Sequence, residues 1–194
     1  MVALEDTRID QFDEIVKMGR ETQTALNDYW KDFSLYASFE YWLMVAFLIF
    51  PLVYLFFKID KNKIFFIGFY GYSIHVIFAY VDLFGRHRGF WNYPFPIIPA
   101  LPGLAIDSSL VPVTFMLVYQ WMLNNNKNYY KYSIITAIIF SFLFKPLLVG
   151  LGLFRMYGTI NYLHLFLGYL FVLLTAKFIT NVFLWTQRRY TEPS

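Results

Sequence analysis

The 194-residue sequence has no cysteine, which excludes disulfides, thiolate zinc sites and a cysteine nucleophile. Charge is scarce as well: Asp, Glu, Lys and Arg make up 15% of the chain, against roughly 25% in soluble domains. The formal net charge of +3 is spread over the connecting segments, so no basic run favours a nucleic-acid partner. No H-E-x-x-H or comparable ligand spacing occurs, and neither a metal nor another cofactor is expected. Runs such as IITAIIFSFLF lack the polar–apolar alternation of barrel strands, which sets aside a transmembrane barrel. The amino-terminal residues are acidic and the first apolar stretch is already a full span, so no secretory signal peptide is expected.

What the chain has in excess is apolar surface. Hydrophobic residues make up 58% of it and aromatic ones 23%, more than one small water-soluble core can hide. Five segments, 38–57, 64–84, 103–123, 133–154 and 162–185, reach the roughly 18 to 20 apolar residues that cross a bilayer. The expected fold is all-α: a polytopic integral membrane helix bundle of about five transmembrane helices. The transmembrane domain covers 38–187 and an amphipathic helix occupies 1–37. Short connections such as KIDKNK and NNNKNYYKY make consecutive helices antiparallel neighbours. No internal repeat is evident, and an odd number of spans fits poorly with the paired halves of many transporters.

Residues 1–37 hold eight of the thirteen acidic residues. Ile9, Phe12, Val16, Gly19, Gln23, Leu26, Trp30, Phe33 and Ala37 recur there at spacings of three and four, a helical stripe. Two uses are open: a helix lying on the membrane surface or on its own bundle, or an arm that docks a protein partner or a second copy. Its acidic face argues against tight binding to anionic lipid. Lysine and arginine in the loops set the orientation. With the amino terminus outside, the inner side holds Lys58, Lys61, Lys63, Lys127, Lys131, Arg188 and Arg189, and the outer side Arg20, Lys31, Arg86, Arg88 and Arg155. Seven against five places this multi-pass cell-membrane protein with its amino terminus outside and its carboxyl terminus in the cytoplasm.

Ionisable residues inside the spans are the functional pointers, since each costs about 2.5 to 3.5 kcal/mol at a helix centre. Ser133, Ala137, Ser141 and Lys145 recur every fourth residue, so Lys145 shares a face with small residues and should turn toward protein. Gly71, His75, Ala79, Asp82 and Arg86 form a similar stripe in the second span, and His164 and Gly168 lie one turn apart in the fifth. His75 and Lys145 each lie nine residues from the span ends on one side of the membrane, roughly 13 Å in. Asp82 and Asp107 lie nearer that same rim. His75, Asp82, Asp107, Lys145 and His164 are therefore the candidate intramembrane polar cluster. Either these groups satisfy one another as buried pairs that fix helix register, or they line a pocket with a carboxylate free for proton transfer or for holding a cation.

Above that cluster runs RHRGFWNYPFPIIPALPG, residues 86–103, whose four prolines preclude a regular helix. It is expected to fold over the bundle as a fixed cap, with a mobile lid as the alternative. Trp91 and Tyr93 suit the headgroup layer, and Arg86, Arg88 and Arg155 are placed for lipid phosphates. Pro112 and Pro146, near the centres of their spans, should kink them.

The order Asp82, Gly85, Trp91, Tyr93, Pro94, then Asp107, Pro112 and Gln120, then Pro146 and Tyr157, resembles an uncharacterised family of small multi-pass membrane proteins of spore-forming, low-GC bacteria. The likeness covers residues 64–162 best and leaves out the acidic arm. The family pattern has an acidic residue before the fourth-span proline, where this chain has Lys145, and a tryptophan soon after the tyrosine, which none follows here. The resemblance implies the architecture and no activity. Three functions stay open: a non-catalytic scaffold or lipid-interacting protein, an intramembrane enzyme acting on a lipid or isoprenoid with Asp82 or Asp107 as general acid, and a transporter or channel subunit.

Overall fold

The computed structural model describes residues 2–191, with side chains described for 7–190; the first residue of the expected arm lies outside the described residues. α1 (Val2–Phe33) is followed by α2 (Phe39–Lys58), whose start is set by Ser38: its hydroxyl accepts the Tyr41 amide at 3.2 Å. Asp60 caps a single 3₁₀ turn, Lys61–Lys63, that leads into α3 (Ile64–His87). α4 runs over Ile106–Asn124, α5 over Tyr129–Gly150 and α6 over Tyr162–Thr191. The last five helices are long and apolar enough to cross a membrane. They alternate in direction, so one end of the bundle carries the segments 88–105 and 151–161, and the other carries the turns 59–63 and 125–128.

The expected all-α bundle has one small β addition. Trp91–Asn92 (β1) pairs antiparallel with Arg155–Met156 (β2), with Trp91 opposite Met156 and Asn92 opposite Arg155. This ribbon joins the two loops of one end, and Tyr157 extends it by donating its amide to the Phe90 carbonyl at 2.9 Å.

The fourth span begins and ends four residues earlier than the expected 133–154. Asn128 caps its start by accepting the Lys131 amide at 3.0 Å. At its end Gly152 adopts φ +72°, and the Leu153 and Gly152 amides return to the Leu148 and Val149 carbonyls. That reciprocal pair stops a helix wherever a glycine can take the left-handed conformation. Gly89, at φ +69°, ends α3 in the same way.

The two mid-span prolines are accommodated by a change of helix type. Ile106–Leu110 and Phe140–Phe144 are π-helical, so that the Val111 amide reaches Ile106 and the Lys145 amide reaches Phe140. One residue is inserted in the turn before Pro112 and before Pro146, where a proline lacks its amide and crowds the carbonyl one turn back. Asp107 and Ser141 lie within these widened turns. α3 packs against α4 and α6, α5 against α6, and α2 against the π-helical start of α4. Of these five helices α4 is the most enclosed and α2 the least. Large apolar side chains such as Phe50, Phe57, Phe65, Leu143 and Phe178 face outward, the surface that lipid chains would cover.

Candidate functional site

Asp82 is the centre of the capped end. It sits near the carboxyl end of α3, 3% exposed, where one hydrogen bond stays within the helix and two tie the capping segment to it. The Arg86 guanidinium, one turn later, donates Nε to Oδ2 at 2.7 Å. The chain then reverses at Gly89, and the Trp91 indole and the Tyr93 hydroxyl both donate to Oδ1 at 2.9 Å. A charged acceptor with three donors is the arrangement in which burial of a carboxylate is tolerable. Gly85 is required by the fold-back, because a β-carbon there would run into the Trp91 ring.

Asp107 approaches Asp82 from α4. A β-carbon on Gly103 would collide with the Asp107 carboxyl and lie 2.9 Å from Asp82 Oδ2. The missing side chain at Gly103 is thus what lets the two carboxyl groups share one space. Asp107 Oδ1 is buried and has no hydrogen-bond partner among the described residues. Its backbone carbonyl lies 2.9 Å from His75 Nδ1, so the histidine braces the widened turn rather than the carboxyl group.

Lys145 enters from α5 and is 3% exposed. Its Nζ lies 3.6 Å from the centroid of the Phe154 ring and 5.4 Å from that of Tyr93, and the charges it interacts with are Asp82 and Asp107. It forms no direct salt bridge among the described residues, so aromatic faces solvate the ammonium group where water would otherwise do so. Counted at formal charge, Asp82 and Asp107 balance Arg86 and Lys145 in this cluster. Beside it Tyr93, outside the spans, has its phenol pushed well above the ordinary tyrosine range by burial first, then by the Asp82 and Asp107 charges.

Several candidates stand elsewhere than their sequence positions suggested. Arg86, Trp91 and Tyr93 turn inward onto Asp82 instead of outward to a headgroup layer, because a buried carboxylate attracts donors more strongly than an interface does. His164 is exposed and bonds with Asn161 at the start of α6, Nδ1 to Oδ1 2.9 Å, although its ring borders the space beside Lys145. Arg88 lies over the Phe84 ring at 5.4 Å, and Arg155 is exposed on β2. Both keep positions from which they can meet solvent or headgroups. The early end of α5 also changes the depth of Lys145: it lies five residues from Gly150, about 7 Å, rather than roughly 13 Å.

The space left inside this cluster is small. A cavity of about 40 Å³ lies between Asp82, Lys145, Tyr93, Phe154 and Tyr169, enough for one or two water molecules. A larger cavity of about 290 Å³ lies on the outer side of the capping segment, walled by Pro94, Pro96, Pro99 and Pro102 and by Leu26 and Tyr29 of α1. α1 is held there by its Trp30 indole, which donates to the Pro96 carbonyl at 2.8 Å.

A second polar centre, absent from the candidates above, lies toward the opposite end. Tyr70 and Tyr129 hydroxyls are 2.8 Å apart, Tyr129 donates to the Leu173 carbonyl, and Lys177 donates to the Tyr119 hydroxyl at 2.9 Å. The Lys177 ammonium lies 4.9 Å and 5.2 Å from the Tyr119 and Tyr129 ring centroids. Its signal was a lone lysine in LLTAKFIT, within the fifth apolar segment. At the rim beyond, Gln120 uses both ends of its amide to hold the α2–α3 turn, accepting from the Asp60 amide and donating to the Lys58 carbonyl. Among the described residues no group of three or more His, Asp or Glu side chains could hold a metal ion. No protein-family model, curated protein or solved structure matches the chain.

Proposed function

We propose that the chain is a non-catalytic, lipid-interacting integral membrane protein whose buried charges lock a rigid cap onto one end of a five-span bundle. The observation that carries this reading is the fully engaged Asp82 carboxylate, with Arg86, Trp91 and Tyr93 all committed to it. The adjoining space of about 40 Å³ is far below the roughly 300 Å³ at which ligand pockets begin. An intramembrane enzyme would need room there for a lipid or isoprenoid beside a free carboxylic acid, and a channel would need a continuous polar path. In this proposal the capped end faces outward and the carboxyl terminus the cytoplasm, following the lysine and arginine excess at the other end. Membership of the family of spore-forming bacteria that the Asp82–Tyr157 pattern resembles belongs to the same proposal. The apolar stripe of α1, with Ile9, Phe12 and Phe33 exposed, is the surface it leaves for the bilayer, a second copy or a protein partner.

The test is a double-mutant cycle on Asp107 and Lys145, read as thermal unfolding of the purified protein in lipid nanodiscs. Asp107→Asn and Lys145→Met should each destabilise. The double variant should recover about 0.5 to 3 kcal/mol of the summed loss, as residues coupled within one network do. Strictly additive losses would refute the closed cluster.

A further inference from the structure

The cytoplasmic end in the proposed orientation contains a crevice that the locked cap does not explain. It has a volume of about 690 Å³ and opens between the ends of α3, α4 and α6. Lys63, Lys177 and Arg188 line it with Tyr119, Asn181 and Trp185, and no acidic side chain does. Lys63 is partly neutralised, since Nζ lies 3.6 Å from Asp60 Oδ2, and it also donates to Asn124 Oδ1 at 2.5 Å. Lys177 and Arg188 form no salt bridge among the described residues. Lys177 is half-buried within a span, and among the described residues it bonds only a neutral hydroxyl and meets no anion, a costly placement for a cation. An adjoining groove of about 480 Å³ shares Lys63, Phe66 and Leu184 with the crevice and is walled by Phe65, Phe69 and Phe183. A cationic recess thus opens beside an apolar trough.

We propose that this crevice binds the headgroup of an anionic phospholipid, with phosphate held by Lys63 and Arg188 at the rim, the glycerol esters reaching Lys177, and an acyl chain in the phenylalanine-lined groove. Basic recesses between spans on the cytoplasmic side are suited to such headgroups. The chemistry favours an anionic headgroup over a zwitterionic one: three cations line the crevice, and the carboxylate nearest them, Asp60, is already paired with Lys63. The Trp185 ring already has the Arg189 guanidinium 5.4 Å from its centroid. Length separates a lipid from a free phosphate. Lys177 and Arg188 are eleven residues apart on α6, about 16 Å along its axis, so the cations are spread along the crevice from its rim inward, as a headgroup with its glycerol is.

The inference rests on the lipid-interacting part of the function proposed above. It is tested on the full chain in a neutral detergent by titrating short-chain phosphatidylglycerol or phosphatidylcholine and following tryptophan fluorescence. Phosphatidylglycerol should bind saturably, and phosphatidylcholine roughly tenfold or more weakly. Lys177→Gln and Arg188→Gln should each weaken phosphatidylglycerol by roughly tenfold, the effect of one lost charged hydrogen bond. Lys127→Gln, on the same face outside the crevice, should leave it unchanged. Arg188 is exposed near the end of its helix, so that variant keeps the test decisive even where Lys177→Gln fails to fold. Equal binding of the two lipids, or an equal loss in Lys127→Gln, overturns the site. Displacement by inorganic phosphate at concentrations like those of the lipid overturns its assignment to a lipid. Loss of the titration alongside an intact Asp107–Lys145 coupling counts against the crevice alone, whereas additive losses in that cycle count against the locked cap and leave the titration as it was.

Discussion

Two lysines enter this bundle, and they are held in opposite ways. Lys145 is sealed at the capped end beside two aspartates, with Phe154 and Tyr93 across its ammonium group. Lys177 is half-buried at the other end, bonds one tyrosine hydroxyl and opens into a crevice lined by further cations. Aromatic rings substitute for water at both, but only the first has carboxylates to balance it. The difference teaches that a charge in an apolar span has a reading set by its counter-charges. A neutral, closed group holds structure together, and an unbalanced, open one leaves room for an anion from outside.

The comparison breaks most sharply at Asp82. Asp82→Ala should cost about 3 to 5 kcal/mol, because it strands Arg86 and leaves the half-buried Trp91 and buried Tyr93 donors unpaired; thermal unfolding in nanodiscs measures it. Gly103→Ala is next, at about 1 to 3 kcal/mol for overpacking. It forces apart the two carboxyl groups, and it should be partly relieved in the Asp107→Asn background, which the same melts would report. Tyr93→Phe should cost about 1 to 3 kcal/mol near neutral pH, the effect of an acceptor left without one donor. Burial raises the Tyr93 pKa in the folded protein, so the fold favours the neutral phenol. That contribution is complete below the ordinary tyrosine value of about 10 and declines as the pH rises past it. The gap between wild type and Tyr93→Phe should therefore narrow in melts above about pH 10. Smallest is Lys177→Gln, within about 1 kcal/mol in neutral lipid, since it leaves no buried counter-charge behind. A large loss there would make the two lysines alike and erase the comparison.

Much of the architecture is legible in the sequence. Apolar runs of bilayer length produce five long helices, and the four prolines of 86–103 produce an irregular cap. The stripe Ser133, Ala137, Ser141 and Lys145 is buried as a unit. Other features were present in the letters but carried weaker signals. Gly152 marks the true end of the fourth span, yet the apolar residues around it continue the hydropathy past the stop. The π-helical turns before Pro112 and Pro146 are a local response to a missing amide, which a kink alone would also have met. The pairing of β1 with β2 joins segments more than sixty residues apart and leaves no periodicity in either.

The amino-acid sequence by itself determined that this chain forms long apolar helices, how many there are, and which few positions carry charge within them, because helix formation and hydropathy are properties of neighbouring residues. Only the tertiary structure decided what each charge faces. Asp82 meets Trp91 and Tyr93 because the chain turns back at Gly89. Asp107 reaches Asp82 because Gly103 lacks a side chain, and Lys177 opens into a crevice because α3, α4 and α6 diverge at their ends. Electrostatic energy depends on separation and enclosure in three dimensions, and neither is fixed by distance along the chain.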